Sequence, residues 1–249
     1  MEENNGDRLN TGIFGLDSML NGGILKGSQV LIAGCPGSGK TLLAFEIIYK
    51  NALLGIPGLI FLFEERVTDF IENIKSAFSE LKDIDTLIEK KLIRVINIDI
   101  SLNINNSEDN SMLITFRNIV NHINEEIKEN NPKCVVIDSI SLLKFIASNE
   151  NLLLYRKSLF SLISTLRNYN ITSIFTIDNS SISRETLIFQ PEFYIFDGVI
   201  MLYSNIIDIR RELSLEILKM RGSAHSKTVA SYAITKRGFS VLANDVVIL

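Results

Sequence analysis

Gly34-Cys35-Pro36-Gly37-Ser38-Gly39-Lys40-Thr41 satisfies G-x-x-x-x-G-K-[ST] at every fixed position. Glycines in this spacing let backbone N–H groups turn inward around phosphate oxygens, and Lys40 adds positive charge near the β- and γ-phosphates. Thr41 offers a hydroxyl to Mg²⁺. A helix starting near Lys40 would aim the positive end of its dipole at the same anion. The expected ligand is ATP with Mg²⁺, contacted by Pro36, Gly37, Ser38, Gly39, Lys40, Thr41 and Leu42.

Such a loop needs a partner, an apolar strand that ends in Asp. Cys134-Val135-Val136-Ile137-Asp138-Ser139 supplies it. Asp138 would accept hydrogen bonds from water on Mg²⁺ beside Thr41. The same residue could also cap the next helix. Hydrolysis further needs a group that orients water. Glu64 and Glu65 follow the apolar run Leu59–Phe63. In a parallel sheet they would reach the ligand edge together with the phosphate loop. Two like charges side by side also tend to raise one pKa. Which of the two is the base stays open, and Glu65 is also a candidate metal ligand. An acidic pair would equally suit the start of a helix.

These residues require a scaffold of strands ending at one edge. Short runs at Gln29–Ala33, Leu59–Phe63, Leu92–Ile98, Cys134–Ile137 and Ile171–Ile177 are nearly continuously apolar, as strands buried on both faces should be. Helical periodicity lies between them, on faces marked by Leu43, Phe45 and Ile47; by Phe70, Ile74 and Phe78; by Phe116, Ile119, Ile123 and Ile127; and by Leu152, Tyr155, Leu159 and Leu166. After residue 197 strands follow in quick succession at Gly198–Tyr203, Glu212–Met220, Ser231–Thr235 and Phe239–Leu242. The expected fold is α/β: a mostly parallel central sheet flanked by helices, with a C-terminal antiparallel β extension. One domain over residues 1–249 is expected, with Asn103 to Ser111 read as a surface loop.

Composition agrees. Of 249 residues, 46% are apolar and 22% charged, which excludes wholesale disorder. A net charge of −4 excludes a strongly basic, nucleic-acid-type composition. Cys35 and Cys134 are not spaced like a metal pair and read as reduced thiols. The start, Met1 to Asp7, is acidic and polar, without the pattern of a secretory signal. No apolar run approaches the roughly 18 residues of a membrane span, so a cytoplasmic protein away from the membrane is expected.

With these residues in place, the chain resembles the KaiC family of ATPases, within the RecA/RadA superfamily of P-loop proteins. The resemblance begins with Thr11-Gly12-Ile13-Phe14-Gly15-Leu16-Asp17-Ser18-Met19-Leu20-Asn21-Gly22-Gly23-Ile24. It continues through the phosphate loop, Phe63-Glu64-Glu65, Val135 to Ser139 and Phe196-Asp197-Gly198. It ends with Arg210-Arg211-Glu212-Leu213 and Lys219-Met220-Arg221-Gly222-Ser223-Ala224-His225. It implies a RecA-like core, Mg²⁺-dependent ATP hydrolysis, and homo-oligomeric rings, usually hexamers, with nucleotide between subunits. By the same resemblance Lys219 and Arg221 contact the γ-phosphate of a neighbouring subunit, with Ser223 and His225 near the sugar or base. A cation arriving in trans neutralises transition-state charge and makes hydrolysis depend on assembly. On residue type alone, Lys219 and Arg221 read equally well as protective charges on an edge strand.

Two positions depart from the family pattern. Thr176-Ile177-Asp178 stands where many relatives have T-x-E, and Lys236 follows Ile234-Thr235 where an acid is common. The expected output is conformational, through regulatory protein partners that the sequence does not name. The competing readings are a weakly hydrolysing nucleotide sensor and a RadA-like DNA recombinase paralogue. The latter needs basic loops around a DNA backbone. Ser139 to Asn151 holds only Lys144, and Asn179 to Gln190 only Arg184. Nucleic acid is therefore not an expected partner.

Overall fold

The computed structural model describes residues 7–98, 109–146 and 152–246. A short antiparallel ribbon comes first, β1 (Arg8–Leu9) against β2 (Ile24–Leu25), with the single-turn helix α1 (Leu16–Met19) between. Asp17 staples this segment. Its carboxylate accepts from Thr11 N–H (2.8 Å), Thr11 Oγ1 (2.7 Å) and Gly12 N–H (3.0 Å). The Thr-Gly…Asp spacing of the opening motif therefore builds a turn.

Strands and helices then alternate: β3 (Gln29–Gly34), α2 (Lys40–Leu53), β4 (Gly58–Leu62), α3 (Val67–Ala77), α4 (Ile84–Glu89) and β5 (Ile93–Asn97). Next come α5 (Asp109–Asn130), β6 (Cys134–Asp138), α6 (Ile140–Ile146), α7 (Leu152–Asn168) and β7 (Thr172–Asp178). The chain ends in β8 (Gly198–Ile207), β9 (Arg210–Met220), β10 (Ala230–Thr235) and β11 (Gly238–Val246). A nine-stranded sheet runs β11-β10-β9-β8-β3-β7-β6-β4-β5. Neighbours from β8 to β5 are parallel, and the pairs from β8 to β11 are antiparallel. The predicted architecture is present.

Each face of the sheet carries its own core. Val30 and Ile32 of β3 pack with α2, α3 and α4, while Leu31 and Ala33 pack with α5, α6 and α7. Burial on both faces is why these strands are apolar at successive positions. Register brings the chemistry to one edge, because Gly34 lies opposite both Asp178 and Leu202, and Leu62 lies opposite Asp138.

Several expectations change. The stretch after Asp138, read as a loop, forms α6, since Ile140 and Leu143 are buried three apart on one helical face. Its remainder, 147–151, lies outside the described residues, as do residues 1–6 of the polar start. Of the expected loop Asn103 to Ser111, residues 109–111 open α5 and 103–108 lie outside the described residues. Leu152, expected on the buried face of α7, is 41% exposed. Cys35 and Cys134 are free thiols, and burial pushes Cys134 up to about 12. Among the described residues no helix is long and apolar enough to cross a membrane.

Candidate functional site

The phosphate loop joins the end of β3 to the start of α2. Gly37 and Gly39 have φ of +78° and +89°, which L side chains rarely adopt. A Cβ on Gly39 would also lie 2.6 Å from Ile234 Cδ1, so the loop is fitted against β10. Pro36 and Gly37 are exposed, Ser38 is buried, and Leu42 is half-buried against the core.

A cavity of about 250 Å³ opens beside this loop, lined by Lys40, Thr41, Glu64, Glu65, Asp138, Ser139 and Asp178. Four elements deliver these side chains: the first turn of α2 and the ends of β4, β6 and β7. The predicted residues Lys40, Thr41, Glu64, Glu65 and Asp138 therefore meet in one place. A larger groove of about 400 Å³ between α5 and α7 has no carboxylate in its lining. The chemistry converges in the smaller cavity.

Thr41 Oγ1 donates to Asp138 Oδ2 at 2.9 Å, and Thr176 Oγ1 donates to the other carboxylate oxygen. Burial pushes the Asp138 carboxyl above its usual range, and the nearby Glu64 charge adds to this. The two hydroxyl bonds and Lys40 oppose the shift. Ser139 Oγ donates to Glu64 Oε1 at 2.7 Å. Glu65 accepts from Asn73 Nδ2 at 3.3 Å, and its backbone carbonyl accepts from Asn97 Nδ2 at 2.7 Å. Burial raises the Glu65 pKa, and Asp138, Asp69 and Glu64 push it the same way.

Lys40 Nζ donates to the Cys35 carbonyl at 3.2 Å and pairs with Asp178 at 2.9 Å. The position that departs from the family pattern thus faces the loop lysine directly. No group of three or more His, Cys, Asp or Glu side chains among the described residues is arranged to hold a metal ion. A hydroxyl backed by one carboxylate fits Mg²⁺, which keeps most of its water and leans on substrate phosphates.

Beyond the pairing of Asp178 with Lys40, sequence reasoning missed three contacts. Arg211 Nη1 lies 3.6 Å from where a Cβ on Gly37 would be, and it donates to Ser204 Oγ at 3.2 Å. Tyr232 Oη donates to the Ser38 carbonyl at 2.6 Å. Thr176 holds Asp138. Arg211 was legible in part. It pairs with Ile206, beyond the Leu202 position that is level with Gly34, so hairpin length alone carries it past the loop.

Lys219, Arg221, Ser223 and His225 do not join this cluster. Lys219 is level with Val199 and hence Leu31, toward the other end of β3. That is about 10 Å back along the strands from Gly34. Lys219 Nζ donates to the carbonyls of Phe193 (3.0 Å) and Phe196 (2.5 Å). Burial, then the Arg221 charge, lowers its pKa. Arg221 donates to the Tyr194 carbonyl at 3.1 Å and stays 56% exposed along its side chain. Ser223 Oγ donates to the Ala224 carbonyl, and His225 Nδ1 lies 2.9 Å from the Ser226 carbonyl. The Asp197 carboxylate ties this end together, accepting from Gln29 N–H (3.0 Å) and Arg167 (2.8 Å).

Comparison with known proteins supplies the rest. The family model described as "ATPase: KaiC" matches residues 9–246. The circadian clock oscillator protein KaiC of Picosynechococcus sp. is 29% identical over 94% of this chain and 44% of its own length. The circadian clock protein KaiC2 of Synechocystis sp. is 30% identical over 93% of this chain and 39% of its own. KaiC of Synechococcus elongatus is 28% identical over 94% and 44%. The chain thus spans less than half the length of these relatives. A match over nearly every described residue, together with the phosphate-loop cavity on a RecA-like sheet, shows that the chain belongs to the KaiC ATPase family.

Proposed function

We propose that the chain is a Mg²⁺-dependent ATPase whose sites are completed between copies in a ring, hexameric as in its family, with a conformational output read by partner proteins. The carrying observation is the convergence of Lys40, Thr41 with Asp138, and the Glu64–Glu65 pair on one cavity beside the phosphate loop. The loop N–H groups and Lys40 would hold the phosphates, with Lys40 leaving Asp178 to do so. Thr41 and, through water, Asp138 would hold Mg²⁺, with Glu65 at the cavity wall. The ion would spread the charge of the transferring phosphoryl group. Glu64 and Glu65 would orient the attacking water and take up its proton. Ring assembly is supported by the placement of Arg221, exposed and far from its own loop, where a neighbour's nucleotide could meet it. Ser223 and His225 share that end. The two cations of the segments weighed for nucleic-acid contact are already paired, Lys144 with Glu192 at 3.0 Å and Arg184 with the buried Glu216.

The test is steady-state Mg-ATPase activity per subunit across protein concentration, with a Glu64→Gln/Glu65→Gln double variant alongside. Specific activity should rise with concentration and fall about 100-fold or more in the variant. Background activity at every concentration, with ATP still bound, would replace this reading with a nucleotide-gated binding module.

A further inference from the structure

The phosphate loop is braced from behind by the antiparallel strands. Tyr232 on β10 is 5% exposed, and its ring stacks on Phe239 of β11 at 5.4 Å. Phe239 in turn lies against Gly39, and its N–H donates to the buried Glu46 carboxylate of α2 at 2.6 Å. The only polar atom of the Tyr232 ring reaches the Ser38 carbonyl across 194 residues of sequence. Burial pushes this phenol well above its usual range, so it keeps its proton and donates.

The consequence follows from peptide geometry. In a trans peptide the carbonyl and the next N–H point in opposite directions. With the Ser38 carbonyl held by the hairpin, Gly39 N–H points away from Tyr232, and the next two residues, Lys40 and Thr41, line the cavity. The Ser38–Gly39 peptide has a glycine on one side and includes one on the other, and glycines resist rotation least. We propose that Tyr232 is a positioning residue for nucleotide: its hydroxyl fixes the Ser38–Gly39 peptide so that Gly39 N–H is aimed at the diphosphate. The inference rests on the reading of this loop as a nucleotide site. A phenylalanine would fill the same space and stack on Phe239 in the same way, but would leave the Ser38 carbonyl without this donor.

The experiment is calorimetric titration of the full chain with Mg-ADP and, by competition, AMP. Tyr232→Phe should weaken Mg-ADP binding about three- to tenfold, the range of one lost hydrogen bond, and leave AMP unchanged. The ratio of the two affinities therefore falls. Val241→Ala is the matched control, because Val241 is buried opposite Tyr232 in the same hairpin and packs against Gly15. It should lower thermal stability and leave the ratio alone. An unchanged ratio in Tyr232→Phe, or an equal fall in Val241→Ala, overturns the proposal. Failure of the unmodified chain to bind Mg-ADP, or wild-type binding by Lys40→Ala, would instead overturn the nucleotide reading and this inference with it.

Discussion

At the edge of the sheet where the parallel strands end, Lys40 faces an open cavity and pairs with Asp178, a carboxylate that is 51% exposed. At the other end Lys219 donates to the backbone carbonyls of Phe193 and Phe196. Both are lysines in family motifs. Only the carboxylate side of this pair is open, since the Lys40 side chain is 9% exposed and also donates to the Cys35 carbonyl; water or a phosphate can displace a carboxylate that reaches solvent, where ion pairs contribute at most about 1 kcal/mol. Withdrawing Lys219 would strip carbonyls of their donor, which costs about 1–3 kcal/mol when they stay buried. The Arg221 side chain, two residues on, is 56% exposed, with its guanidinium resting on the Tyr194 carbonyl and 3.8 Å from Asp197. So the two ends teach that motif membership does not decide availability; the surroundings of each charge do.

The sharpest way to break this contrast is to remove the two distal cations separately. Arg221→Ala should lower ATPase activity of the assembled protein about 100-fold or more, as loss of a charge supplied in trans does. Mg-ADP affinity measured in dilute, unassembled protein should stay unchanged. Lys219→Ala should first appear as a thermal shift, downward by about 2–8 °C. Equal activity loss with no thermal shift in Lys219→Ala would show that both cations serve the nucleotide.

A smaller effect tests the near end. Asp178→Asn removes the partner of Lys40 and a negative charge beside the phosphates. Calorimetry should show Mg-ATP binding strengthened about two- to fivefold. Weakened binding would mean that Asp178 itself contacts the nucleotide and does not hold Lys40 back.

The smallest effect is in pH dependence without divalent cations. Burial raises Asp138 and Glu65 from ordinary values of 3.8 and 4.5. A carboxyl raised in the folded state contributes stability below its ordinary pKa and loses it as pH climbs through the raised value. Thermal unfolding curves of wild type and Asp138→Asn should therefore separate as pH rises above 3.8, with the variant the more stable at neutral pH. Mg²⁺ should narrow the gap, since it favours the ionised carboxylate. Parallel curves would show that Thr41 and Thr176 fully offset the burial.

Much of this molecule was legible beforehand for a definite reason. Strands covered on both faces must be apolar throughout, so β3, β4, β6 and β7 stand out as runs. The hairpin of β8 and β9 was read too short, because its tip leaves the core. Ile206 and Ile209 there are 65% and 96% exposed, and no second sheet face demands apolar neighbours. Helix α6 was missed because seven residues give too little periodicity to separate a helix from a loop. In the site, Lys40, Thr41, Asp138 and the Glu64–Glu65 pair were found by fixed spacing beside a strand. Arg211, Asp178 toward Lys40, and Tyr232 toward Ser38 were not, since nothing local marks a partner far away in the chain.

The anion-binding loop, the acidic strand ends and the strand–helix alternation follow from the order of residues alone. Each is a pattern of neighbouring residues, and backbone geometry needs no distant partner to express it. Which charges stay open to solvent and which are held follows from the packed fold. It set Asp178 against Lys40, left Arg221 exposed beside a half-buried Lys219, and laid the Tyr232 hydroxyl on the phosphate loop. Those outcomes depend on register across nine strands, where a slip of one residue would turn every side chain to the opposite face.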